Sequence, residues 1–241
     1  MKRNTLFALA LGLMMVATAG VSAGTGKQEQ NPRQAGKSTV YFYDLAASDT
    51  HGKGKLMIDV EKHTFVFNGQ GFEPLRHVSL RARAEGSSEF VVFSTAKATP
   101  SGNLHMAGTW EGAAAPAEVG YSYYQKIFGM WLYNDGLFVT KVACYYSTDG
   151  GTTWTESDHS VGIVYGEEGI VPLWTINVPE YSLVRLHAVV VAGNDKTGSE
   201  IFESASASVY DSSDPKYAYY IISGTTLNDT LEYYGILTWS D

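Results

Sequence analysis

Cysteine is almost absent: Cys144 stands alone in 241 residues, so no disulfide can close within the chain. A fold without such staples needs a core large enough to hold itself together. Positive charge is also scarce, with 17 Lys and Arg against 25 Asp and Glu. Arg76, Arg81 and Arg83 are spread along one strand and its approach and form no cluster. Nucleic-acid binding depends on neutralising phosphates, so that class of partner is excluded. Long apolar runs are missing beyond the N-terminus, and no later segment reaches the roughly 20 residues of a membrane span. No H-E-x-x-H occurs, and no G-x-S-x-G elbow follows residue 24, which removes support for zincin and serine-hydrolase chemistry. The GTGKQ at Gly24 lacks P-loop spacing. There is no repeat of fixed period and no well-capped helical stretch past the start.

What is present begins with an address. Lys2 and Arg3 precede the apolar run Leu6 to Ala17, and Val21-Ser22-Ala23 fits a cleavage site, so residues 1–23 read as a secretory signal. An uncleaved anchor is the alternative. Removing residues 1–23, which carry two of the 17 bases and none of the 25 acids, leaves 218 residues with a net charge of −10. Residues 24–38 (GTGKQEQNPRQAGKS) read as a flexible polar leader. The expected location is secreted, extracellular or at the cell surface.

The remainder alternates short apolar runs with turn residues, which predicts an all-β chain of antiparallel sandwich-like, immunoglobulin- or fibronectin-like halves. Leu56, Ile58 and Val60 alternate with Met57, Asp59 and Glu61, the chain turns near Glu61-Lys62, and His63 to Asn68 returns. Val78, Leu80, Ala82 and Ala84 should face inward, with Ser79, Arg81, Arg83 and Glu85 in water. Further strands are expected at Asn103 to Trp110, Pro172 to Val178, Leu183 to Ala192, Glu200 to Tyr210, Tyr217 to Ser223 and Leu231 to Trp239. The small-residue stretch Gly112 to Gly120 suggests a boundary between an N-terminal β-domain, 39–111, and a C-terminal one, 121–241.

The run Leu137 to Trp154 carries the clearest local pattern. A strand apolar on both faces, with Cys144 read as a buried thiol, ends in Ser147-Thr148-Asp149-Gly150-Gly151-Thr152-Thr153-Trp154. This S-x-D-x-G-x-T-W stretch resembles the Asp-box hairpin of sialidase-like propellers. The implied structural set is Ser147, Asp149, Gly151, Thr153 and Trp154, with Asp149 bonding backbone ahead of it. A propeller needs roughly 40–50 residues per blade, and 218 residues with one box fall short of six blades.

Three runs, GKGKLMIDVEKHTFVFNGQGFEP, ATPSGNLHMAGTWE and VACYYSTDGGTTW, together resemble a group of secreted β-proteins from methane-producing archaea. That resemblance implies an extracytoplasmic location and brings no activity or functional residues. The second half is more distantly similar to starch-binding and fibronectin-type modules.

Candidate sites are few. Tyr121, Tyr123, Tyr124, Trp131 and Tyr133 form the densest aromatic cluster, suited to sugar rings or protein partners and equally to core packing. Asn228-Asp229-Thr230 is a glycosylation acceptor sequence. The six histidines are scattered, with His63, His105 and His187 expected in strands, and any metal is left unknown. No cofactor is expected. Calcium is the one open option, at Asp211 with Asp214 or at Asn194 with Asp195. The carboxylates Asp59, Glu61, Glu85 and Glu89 could pair for glycoside hydrolysis or be solvated charges. The expected function is non-enzymatic binding or adhesion, to polysaccharide or a surface protein. The alternatives are a self-associating subunit of a surface layer or filament, and a small β-sheet glycoside hydrolase.

Overall fold

The computed structural model describes residues 23–26, 28–29, 39–46, 52–206 and 215–238. The signal segment 1–22, most of the leader, and the Asp211/Asp214 pair lie outside the described residues.

The chain is all β. Its strands are β1 (Ala23–Gly26), β2 (Gln28–Glu29), β3 (Val40–Ala46), β4 (Lys53–Asp59), β5 (Thr64–Gln70), β6 (His77–Arg83), β7 (Val91–Lys97), β8 (Leu104–Thr109), β9 (Glu118–Tyr123) and β10 (Lys126–Ile127). There follow β11 (Gly129–Gly136), β12 (Thr140–Ser147), β13 (Thr155–Glu156), β14 (Glu168–Pro172), β15 (Leu183–Val190), β16 (Lys196–Thr197), β17 (Phe202–Ser204), β18 (Lys216–Thr225) and β19 (Asn228–Thr238).

The first sheet runs β7-β6-β9-β1-β3-β4-β5-β8, with β2 beside β3. Its pairs are antiparallel, and the β4–β5 hairpin turns where the sequence places it. The sheet curls, so that Phe93 on β7 meets Phe65 on β5 and Trp110 after β8, at ring-centroid distances of 5.1 and 5.3 Å. Inside lie Tyr43, Leu56, Ile58, Phe67, Leu80, Val119 and Tyr121. Two segments stand differently from the expected division. Residues 24–38, expected to be a flexible leader, contribute β1 and β2, and β1 pairs with β9 and β3. Glu118–Tyr123, placed at the boundary and beyond it, is β9 and pairs with β6, so the two cores part after Tyr123.

The second core is a sandwich. One layer is β10-β17-β15-β12-β13 with β16, and the other is β14-β11-β18-β19. Val142, Cys144, Val184, Leu186 and Ala188 of the first layer meet Met130, Leu132, Ala218, Tyr220 and Ile222 of the second. The pleat dictates this: even-numbered residues of β11 and β18 point inward, so odd-numbered ones point out. Two pairings are parallel, β11 with β18 and β10 with β17. The expected strand Pro172 to Val178 is only β14's end followed by a 3₁₀ turn, Leu173–Ile176, which buries Leu173 and Ile176. Asn177, with φ 59°, ends it.

The two cores meet through charges. Glu203, fully buried on β17, accepts from the Arg76 guanidinium and from His77 N–H, the latter at 2.7 Å. His77 Nδ1 lies 3.1 Å from the same carboxylate. Arg76 also donates to Glu73 and to the Tyr124 carbonyl, and lies over the Tyr123 ring. This explains why β6 is not half-exposed as its alternation suggests: His77, Val78, Ser79 and Leu80 are all buried, because the second core covers the supposed solvent face.

Candidate functional site

The predicted aromatic cluster is divided by the fold. Tyr121 is wholly buried in the first core and donates to the Gly52 carbonyl at 2.8 Å. Tyr123 is also buried, accepting from Glu73 N–H at 3.2 Å. Tyr124 is partly buried, 3.3 Å from Thr95 Oγ1 between the two cores. Tyr121 and Tyr123 are thereby corrected from candidate ligand contacts to packing residues, while Tyr124 is only half covered. Tyr121 and Tyr123 stand on β9, which is interior to its sheet, with a neighbour on each edge.

Trp131 and Tyr133 behave differently. Both are odd-numbered on β11 and face out from the sandwich, and the sheet register places others beside them. Trp131 pairs with Ile170 on one side and Tyr219 on the other. Tyr133 pairs with Glu168 and Ile221. Tyr219 pairs onward with Gly235, and a bulge there leaves Tyr234 as the extra residue on β19. The ring centroids of Trp131 and Tyr219 lie 5.7 Å apart and those of Tyr219 and Tyr234 lie 6.1 Å apart, both edge-to-face. A stripe of three rings therefore crosses three strands on one outer face. Tyr234 is 58 % exposed.

Carboxylates hold the ends of the stripe. Trp131 Nε1 donates to Glu168 at 3.0 Å, and Tyr234 Oη donates to Glu232 at 3.0 Å. Burial, with the nearby Glu168 carboxylate, raises the Tyr219 hydroxyl above its usual range. The bond to Glu232 raises that of Tyr234. Both phenols therefore stay protonated at neutral pH. At the far end Gly129 makes room: a Cβ there would stand 2.6 Å from the Tyr217 ring, which instead lies across β11. Tyr219 and Tyr234 belong to the runs Tyr217-Ala218-Tyr219-Tyr220 and Tyr233-Tyr234, which the sequence alone leaves equally open to packing or ligand contact. Only the β11–β18 pairing brings them to Trp131.

The turn after β12 is self-contained. Asp149 accepts from Ser147 Oγ at 2.7 Å, Thr153 N–H at 2.9 Å and Thr153 Oγ1 at 2.6 Å, while Ser147 Oγ accepts from Gly151 N–H at 2.8 Å. Trp154 Nε1 donates back to the Gly151 carbonyl, and Arg185 lies over its ring. Gly150, with φ 77°, sits where a Cβ would come 2.8 Å from the Thr95 carbonyl, so the turn tip touches β7 of the first core. The bonds from Thr153 and Ser147 hold Asp149 well below the usual carboxylate range. A depressed pKa contributes stability above the unfolded value of about 3.9 and loses it as pH falls through the folded one. The stability gap between wild type and Asp149→Asn is thus expected to be full at pH 7 and to shrink steadily below pH ~4. Thermal melts across that range check it.

Other candidates resolve as structure. Cys144 is fully buried, and that burial pushes its thiol up. His63 lies in the β4–β5 turn with φ 53°, not in a strand. Among the described residues, no group of three or more His, Cys, Asp or Glu side chains is arranged to hold a metal ion. The nearest approach is a chain: Glu156 Oε1 lies 3.1 Å from His159 Nε2 and 3.4 Å from His187 Nε2, with Asp195 Oδ2 3.7 Å from the latter. Asp195, half of one proposed calcium pair, is engaged by Val190 N–H at 2.9 Å. Asn228 is exposed at the start of β19. A shallow groove is bordered by Lys53, Gln70 and Asn103. Compared with protein-family models, curated proteins and solved structures, the chain matches none.

Proposed function

We propose that this is an exported, non-enzymatic protein that binds glycans on the outer face of the β14-β11-β18-β19 sheet. The observation that carries the reading is the Trp131–Tyr219–Tyr234 stripe on an outward face. Aromatic rings with an apolar face and a polar edge suit sugar rings. Contiguous apolar surface left exposed on a soluble domain points to an interaction site. The signal-like residues 1–23 support export.

A hydrolase reading is less well served. Glu168 and Glu232 share this face, but the register sets them three strands apart, roughly 14 Å at the usual strand spacing. Glycosidase pairs stand about 5–9.5 Å apart. Asp59, one of the sequence candidates, is tied to the Lys62 N–H at 3.0 Å. The second reading, a subunit of a surface layer or filament, draws on β19, an 11-residue strand paired on one side only among the described residues. Light scattering separates the two: a filament subunit grows in mass with concentration. The binding reading is tested by retention of residues 24–241 on a panel of insoluble and immobilised polysaccharides. Retention on at least one is expected, and retention on none would end it.

A further inference from the structure

We infer that the aromatic face selects glycans whose sugar units carry a protonated amine over neutral and acidic glycans. The inference rests on the glycan-binding reading above and names its ligand class. It follows from a charge count that the sheet register makes possible. The outward positions are Gly129, Trp131, Tyr133 and Asp135 on β11, and Glu168, Ile170 and Pro172 on β14. On β18 they run from Tyr217 to Thr225 in steps of two, opposite Asn228, Thr230, Glu232 and Leu237 of β19. No lysine or arginine occupies any of them, while three acids do.

Two of those acids are held in place. Glu168 is anchored by the indole N–H of Trp131 and Glu232 by the phenol of Tyr234, so a carboxylate stands at each end of the stripe. Each uses one oxygen for that bond. Neither takes part in an ion pair among the described residues, although acids elsewhere in the chain do. A sugar stacked on the Trp131 ring presents its equatorial substituents sideways, toward Glu168. An ammonium there meets a carboxylate and the negative face of an aromatic ring together. An acetylated amine gains neither attraction, and a uronic acid is repelled by all three acids. The same carboxylates would be a poor choice for a neutral glycan, because they stay hydrated and add nothing to stacking. Charge complementarity therefore commits the face to an amino-sugar polymer.

The test is calorimetric titration of residues 24–241 with four oligomers of equal length at mildly acidic pH. These are β-1,4-linked glucosamine, its N-acetylated form, glucose and galacturonic acid, with oligolysine as a fifth probe. The glucosamine oligomer is expected to bind about tenfold tighter than the acetylated one, as for exposed charge contacts at two ring ends. That ratio should fall as salt screens it. In the Glu168→Gln, Glu232→Gln double variant the ratio should fall toward one, whatever the absolute affinities. Equal binding of glucosamine, acetylated and glucose oligomers would overturn the amine preference and leave the glycan reading standing. Binding of oligolysine with none of the sugars would overturn both and make a basic peptide the ligand. No binding of any probe would count against the glycan reading itself.

Discussion

Trp131→Ala is expected to weaken glycan binding by about thirtyfold, the roughly 2 kcal/mol that a central aromatic anchor contributes. The expectation follows from position. Trp131 is on β11, an inner strand of its sheet, and its ring meets Tyr219 at one edge and Glu168 at the other. Tyr219→Ala should cost less, since Trp131 and Tyr234 remain. Neither change touches the sandwich core, because both side chains stand on the face opposite Met130, Leu132, Ala218 and Tyr220. The melting temperature should therefore move little. Tyr121→Phe serves as the control: it deletes one buried hydroxyl bonded to Gly52 and should leave affinity unchanged. Titration of the three variants with any glycan that the wild type retains provides the check. An unaltered affinity in Trp131→Ala would place the ligand elsewhere.

Arg76→Met should lower folding stability by about 3–5 kcal/mol, the size seen when one partner of a buried ion pair is removed. Against total stabilities of roughly 5–15 kcal/mol this is a large fraction. Glu203 is wholly buried, and without the guanidinium its carboxylate keeps the backbone N–H and ring of His77 and the more distant charge of Lys97. The arginine also ties Glu73 and the Tyr124 carbonyl, so its loss loosens the seam between the two cores. Adding Glu203→Gln to Arg76→Met should recover part of the loss, because no unpaired charge is then left inside. Chemical denaturation of the two single variants and the double variant measures this coupling. A single-variant loss below about 1 kcal/mol, the usual size for a surface pair, would show that the cluster is hydrated.

The sequence made the all-β character and the β4–β5 hairpin legible because both are written in local alternation and turn residues. The bonding of Asp149 was legible for the same reason, since Ser147 and Thr153 lie within four positions of it. Long-range placement was not. Tyr121 and Trp131 look alike in the chain, yet one lies inside a curled sheet and the other on an outer face. What separates them is which strands pair, and the parallel register of β11 with β18 has no local signature. The same limit hid Glu203, which sits 127 residues from Arg76 and reads in the sequence as one more strand acid. The exposure expected for Ser79, on the odd side of β6, failed for that reason: alternation reports a pleat, not what packs on it.

The most direct measurement of where glycan binds is a map of backbone amide shifts in isotopically labelled protein as a retained oligosaccharide is added. The shifts are expected to gather on β11, β18 and β19 around Trp131, Tyr133, Tyr219 and Tyr234. Shifts gathered instead at the groove beside Lys53, Gln70 and Asn103, or at the buried Tyr121 and Tyr123, would contradict this placement.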